Sequence, residues 1–196
     1  GVIHLPALPG SPAFALPLDA TLDRVAEEAG LLAASGFDAV MVENYGDVPF
    51  SPGRVDAVTV AAMTACAQAV RAAAPRLGLG INVLRNDAES ALGIARIVGA
   101  HMVRINVHMG ARVTDQGVIE GRAHHTLRER QRLDLGDVAL LCDVAVKHSS
   151  PLGAPRPIVE EAAELVERGA ADAVLVTGNG TGHAASTEEV RSITEA

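Results

Sequence analysis

Short apolar runs alternate with longer stretches in which apolar residues recur three and four positions apart. The runs are "VIHL" (2–5), "AVMVE" (39–43), "LGINVL" (79–84), "MVRINV" (102–107), "ALLCDVAV" (139–146) and "AVLVTG" (173–178). They are apolar almost from end to end, as strands buried on both faces are. The stretches between them, roughly 19–35, 55–74, 87–98, 121–133, 157–168 and 187–196, have the period of amphipathic helices. Local punctuation supports the boundaries. Asp19 reads as an N-cap with Gly36 as a stop, Asn86 or Asp87 as a cap with Gly99 as a stop, and Pro157 opens a helix that ends at Gly169.

Strict alternation of strand and helix predicts parallel βαβ units with right-handed crossovers. An open doubly wound sheet and a (β/α)8 barrel both satisfy it. The loops decide between them. Those that follow strands carry nearly all the polar chemistry ("HLPALPGSP", "ENYGDVPF", "LRND", "NVHMGARVTDQG", "KHSSP", "TGNGTG"), whereas the reverse loops are short and bland ("SGFD", "VGAH", "RGAAD"). A barrel gathers function on one face from every strand, and an open sheet gathers it at one switch point. The expected fold is therefore α/β, a parallel (β/α)8 barrel forming a single domain over residues 1–196. About six βα units are legible, and two more would bring the chain near the ~250 residues typical of that fold. The expectation is a chain that lacks the last two units.

Composition narrows the picture. The chain has 196 residues, 48% hydrophobic but only 2% aromatic, so its core must be aliphatic. A net charge of −8 argues against nucleic acid as a partner. Cys66 and Cys142 both lie in apolar surroundings, which reads as two buried free thiols in a reducing, cytoplasmic setting. No apolar run approaches the roughly 18 residues of a membrane span. The partner expected is a small anionic substrate, with a homo-oligomer compatible with the sequence. No cofactor is expected.

One lysine, Lys147, stands among fifteen arginines, directly before His148 at the end of an apolar run. Arginine replaces lysine readily on a surface, but it cannot lose its proton and attack a carbonyl. Three roles are open to Lys147: Schiff-base chemistry, binding of an anionic substrate, or an ion pair with Asp143 or Glu43. Asp143, four residues earlier, would share its strand face and orient the amine or move protons. Glu43 ends the second strand and is the acid–base candidate by position. Arg104 and Asn106 share a strand face inside an apolar run, where a charge needs a partner or a ligand. Asn44, Asn82 and Arg85 extend this set, and His4 points into the mouth of the first strand. Asp87 reads as a helix cap at least as readily as a site residue. The turn with Thr177, Gly178, Thr181 and Gly182 offers backbone N–H groups to an oxyanion, or is merely a tight turn capped by Ser186 or Thr187. It is neither GxGxxG nor a P-loop. His108, His124 and His125 surround a long loop without the spacing of a metal site.

Six pieces in order, "GVIHLPALPGSP", "GFDAVMVENYGDVPF", "GINVLRNDAESALGIA", "GAHMVRINVHMGARVTDQGVIEGRA", "DVAVKH" and "ADAVLVTGNGTG", resemble the BtpA/SgcQ family over essentially the whole chain. The resemblance implies a TIM barrel of the ribulose-phosphate-binding type. It also implies that the family's last two strands, which would carry the usual phosphate-binding loops, are missing here. Two functional leads come with it. Cyanobacterial BtpA members are implicated in assembling or stabilising photosystem I as peripheral thylakoid-associated proteins. SgcQ members accompany bacterial genes of sugar metabolism and look like uncharacterised enzymes. The first lead implies a non-catalytic scaffold. The second implies an isomerase, epimerase, aldolase or lyase acting on a small phosphorylated sugar-like or carbonyl substrate.

Overall fold

A computed structural model describes residues 1–178, 180 and 182–195. Six parallel strands form one sheet: β1 (Val2–His4), β2 (Ala39–Glu43), β3 (Gly78–Asn82), β4 (Met102–Ile105), β7 (Ala139–Val144) and β9 (Ala173–Val176). Between them run α1 (Leu18–Ala34), α2 (Ala57–Ala73), α3 (Ala88–Val98), α4 (Ala123–Arg132) and α5 (Ile158–Glu167), with α6 (Thr187–Thr194) after β9. The order in the sheet is β1-β2-β3-β4-β7-β9, so each new strand lies beside the one before it. A doubly wound sheet reverses direction once, and this one never does; it winds as a barrel does. β1 and β9 are its two edges, each paired with one neighbour among the described residues.

Residue parity along the strands separates two layers. Ile3, Val40, Val42, Leu79, Ile81, Val103, Ile105, Leu140 and Cys142 are at most 2% exposed and belong to the main core. Val25, Ala29, Met63, Cys66, Val70, Leu92 and Ala95 from the helices join the same core. The alternate residues face the other way. Val2, Met41, Gly80, Met102 and Ala139 stand in register across five strands. A Cβ at Gly80 would meet Met41 and Met102 side-chain atoms at 2.7 Å, so glycine leaves that layer to the two methionines. One step further along the strands the same face turns polar, with His4 opposite Glu43 and Glu43 opposite Asn82.

Helix ends match their signals with one exception. Asp87 caps α3 by accepting from Ser90 N at 3.0 Å, Gly99 closes it in the left-handed region, and Ser186 Oγ accepts from Glu189 N at 3.2 Å to cap α6. Asp19 is not the cap of α1. The helix begins at Leu18 after Pro17, whose fixed φ suits an entry, and Asp19 lies in its first turn, where a negative charge complements the helix dipole.

A second sheet went unread in the sequence. β5 (Ala111–Thr114) and β6 (Gly117–Glu120) form a hairpin, and β8 (Ser149–Pro151) pairs antiparallel with β5. The hairpin belongs to the loop after β4 and β8 to the loop after β7, so this sheet ties together two loops at the C-terminal end of the strands. Val107, Ile119 and Val146 form a small apolar cluster there.

Candidate functional site

The polar ends of the inner strand faces make one connected network. Arg104 on β4 sits at its centre. Its Nε and Nη2 donate to Asp143 Oδ1 and Oδ2 at 2.9 and 3.0 Å, and its Nη1 donates to Glu43 Oε1 at 2.8 Å. Asn106 Nδ2 donates to Asp143 Oδ2 at 2.9 Å, and Asn82 Nδ2 donates to Asn106 Oδ1 and to the Arg104 carbonyl, both at 3.0 Å. His4 Nε2 lies 3.6 Å from Glu43 Oε2. The pattern follows from strand parity: each residue two positions on from an inward apolar neighbour points inward as well.

The two carboxylates are driven apart electrostatically. Burial pushes Glu43 up, but the neighbouring His4 and the charge of Arg104 outweigh it and hold the carboxyl below its ordinary value. At Asp143 burial wins, and the carboxyl lies above its ordinary value despite Arg104 and Asn106. Arg104, flanked by both carboxylates, is shifted up. Charged partners in so dry a place hold each other in fixed geometry.

Beside this network lies a cavity of about 200 Å³. Glu43, Asn82, Arg104 and Asn106 line it from the strand ends, with Arg85, Asp115, Lys147 and His148 from the loops. Arg85 is buried yet forms no ion pair among the described residues; its Nη2 donates to the Lys147 carbonyl at 2.7 Å, and burial pushes its pKa down. Lys147 Nζ has neither a hydrogen-bond nor an ion-pair partner among the described residues. Asn82 Oδ1 is buried and has no hydrogen-bond partner among the described residues.

The sequence-derived set divides. Lys147, Glu43, His148, Asn82, Arg85, Arg104 and Asn106 come together at the cavity. Asp143 stands behind Arg104 and does not reach Lys147: Ala145 and His148 adopt left-handed backbone (φ 47° and 58°), which ends the strand's alternation. The ion pair of Lys147 with Asp143 or Glu43 is replaced by Arg104. His4 stacks on Tyr45 at 4.3 Å beside Glu43. Asn44 turns away and pins loops: it accepts from Leu84 N at 2.7 Å and donates to Asp47 Oδ2 at 3.0 Å. Gly178 has no room for a side chain, since a Cβ would meet the His183 and Ala184 carbonyls. Gly182 takes φ 81°, and Thr177 Oγ1 is buried without a partner among the described residues. These three do not line the cavity, and Thr181 lies outside the described residues. Tyr45, Val48, Phe50, Leu84 and Asp115 line it and were not foreseen. Their loops gave no periodic signal, although two aromatics so close together in an aromatic-poor chain were a usable clue.

Among the described residues no group of three or more His, Cys, Asp or Glu side chains is placed to hold a metal ion. No helix among them is long and apolar enough to cross a membrane.

A profile of the BtpA family matches residues 1–196. The chain belongs to the BtpA family. It is 46% identical over 198 residues to the photosystem I biogenesis protein BtpA of Synechocystis sp., covering 100% of this chain and 67% of that protein. An uncharacterized protein of Thermococcus kodakarensis is 44% identical over 182 residues, covering 93% of this chain and 67% of the relative. An uncharacterized mitochondrial protein of Caenorhabditis elegans is 36% identical over 194 residues, covering 97% and 70%. Among solved structures, a mandelate racemase/muconate lactonizing enzyme from Roseiflexus sp. superposes with TM-score 0.52 at 15% identity. An old yellow enzyme homologue from Zymomonas mobilis does so with 0.51 at 13%. Each covers 89% of this chain, which spans only 42% and 55% of theirs. At such identities the likeness shows the fold, and that fold is the TIM barrel.

Proposed function

We propose that the C-terminal face is a catalytic site for a small anion bearing a carbonyl or phosphoryl group. The observation that carries this reading is Lys147: it lines the cavity, and its amine has no partner among the described residues while Arg104 occupies Glu43 and Asp143. Arg85 adds a second cation, this one buried, without a carboxylate partner among the described residues. Together they give an oxyanion two donors in a low-dielectric setting. Glu43, kept ionised, is the base for a proton beside the activated carbonyl, and His148 at the rim is the second proton carrier. Arg104, Asn106 and Asn82 hold Glu43 and the substrate in place, while Asp143 fixes Arg104. Proton transfer or carbon–carbon cleavage next to a carbonyl, the chemistry of isomerases and lyases, fits these groups. In the covalent form the neutral amine adds to the carbonyl carbon, one amine proton and one proton taken up from solvent carry the oxygen away as water, and an iminium remains on Lys147.

The test is borohydride trapping of the full native chain with simple α-keto acids, read by mass spectrometry. A reduced adduct on Lys147, absent from Lys147→Arg, supports covalent chemistry. Binding without an adduct leaves Lys147 as the anion receptor. Neither binding nor adduct overturns the reading.

A second reading, a non-catalytic photosystem I biogenesis factor, is favoured by the 46% identical Synechocystis relative and its name. It predicts that cavity substitutions leave partner binding intact and that surface substitutions abolish it.

A further inference from the structure

The chain holds one tyrosine, three phenylalanines and no tryptophan. None of them belongs to the buried core, which is aliphatic apart from Met and Cys. Two of these four rings nonetheless meet at the cavity. Tyr45 and Phe50 lie on the loop between β2 and α2, with centroids 6.5 Å apart and planes tilted by 57°, and both line the cavity wall. Val48 and Leu84 complete that part of the wall. The remainder is polar and supplies the cations Arg85 and Lys147.

This division constrains the ligand. A polyol set against Tyr45, Val48, Phe50 and Leu84 would find the Tyr45 hydroxyl as the sole side-chain donor or acceptor there. Its other hydroxyls on that side would lose water without gaining partners. A flat unsaturated ring loses nothing by the same transfer. It pairs with the aromatic rings at their preferred centroid distances of about 4.5–7 Å. Half-buried aromatics in a cavity wall, in a chain that spares them elsewhere, fit recognition better than packing.

We propose that the ligand is an amphiphilic acid, with an oxyanion head held by Arg85 and Lys147 and a flat unsaturated carbon body held by Tyr45 and Phe50. The proposal rests on the anion-site reading of Lys147 and narrows it away from sugar phosphates. Carboxylate and phosphate heads share the chemistry, and separate probes distinguish them.

The experiment titrates the full native chain by calorimetry with phenyl phosphate and inorganic phosphate, benzoate and acetate, and ribose 5-phosphate. The ring should tighten binding by about tenfold or more within at least one pair, and the tighter pair identifies the head group. Phe50→Ala and the milder Tyr45→Leu should erase that preference while the ringless anion binds as before. Ribose 5-phosphate binding as tightly as phenyl phosphate, or a ring preference that survives both substitutions, overturns the proposal and leaves the anion site standing. If no anion binds, or if Lys147→Gln leaves every affinity unchanged, the underlying anion-site reading fails as well.

Discussion

Arg104 grips Asp143 with two parallel hydrogen bonds, 2.9 and 3.0 Å long, at a carboxylate whose side chain has no solvent exposure. The third arm of the same guanidinium reaches Glu43. Three strands, β2, β4 and β7, are thereby clamped at their C-terminal ends by one residue. Arg104→Met should cost about 3–5 kcal/mol, because it strands two buried carboxylates. Chemical denaturation measures this. A loss below about 1 kcal/mol would show that the two acids become neutral and rebuild the network without it.

The same cluster gives stability a pH signature. Glu43 has a folded pKa below its ordinary 4.5, so it contributes stability above that value and loses it as pH falls through the folded pKa. Asp143 has the opposite sign: its folded pKa lies above 3.8, so its contribution is complete below that value and is lost as pH rises. Unfolding free energies of Glu43→Gln, measured from about pH 6 to about pH 3, should fall less steeply with acid than those of the unchanged chain.

The Lys147 amine makes no hydrogen bond or ion pair among the described residues, and the hydrogen bond from Arg85 goes to its backbone carbonyl, which a substitution keeps. Lys147→Gln should change stability by no more than about 0.5 kcal/mol while anion binding is lost. Lys147→Arg should keep the charge, and with it part of the anion affinity, but not borohydride trapping. Calorimetry and trapping on the same preparations separate the two roles of the amine.

Asn44 behaves differently. It is buried, and it fixes Leu84 N, the Leu84 carbonyl and Asp47 at once. Asn44→Ala should cost about 1–3 kcal/mol through the groups left unpaired. Thermal melts would register this in the absence of any ligand.

The thiols are shut away. Burial pushes Cys66 up to about 11 and Cys142 up to about 12. Neither should react with a disulfide reagent near neutral pH in the native chain, and both should react after denaturation. Rapid native labelling of either would show that the strand–helix interface opens locally.

The strands were legible because parallel strands covered on both faces are spelled as unbroken aliphatic runs. Polar letters at every second position near their ends, such as Glu43, Asn82, Arg104, Asn106 and Asp143, already marked one face and one end. Where that period breaks, the reading failed. Ala145 takes a left-handed φ of 47°, unusual for alanine, and this cut the inferred alignment of Asp143 with Lys147. The strands β5, β6 and β8 have four, four and three residues, too short for alternation to rise above chance. Asn44 was grouped with its neighbour Glu43, yet one position along a strand end reverses the direction of a side chain, and it became a loop anchor.

The sheet that joins β5, β6 and β8 bears on how this face diversifies. In a barrel each loop ordinarily changes sequence and length without consulting the others, and new specificities arise one loop at a time. Here Arg112, Val113 and Thr114 are paired to Pro151, Ser150 and Ser149, so an insertion in either segment breaks the register of both. Lineages that retain the hairpin must therefore vary these two loops together. The loop after β2, which carries Tyr45 and Phe50, has no partner strand among the described residues, but Asn44 and the Ser51 carbonyl bind it to Leu84 and Arg85, so its ligand preference drifts together with the loop after β3.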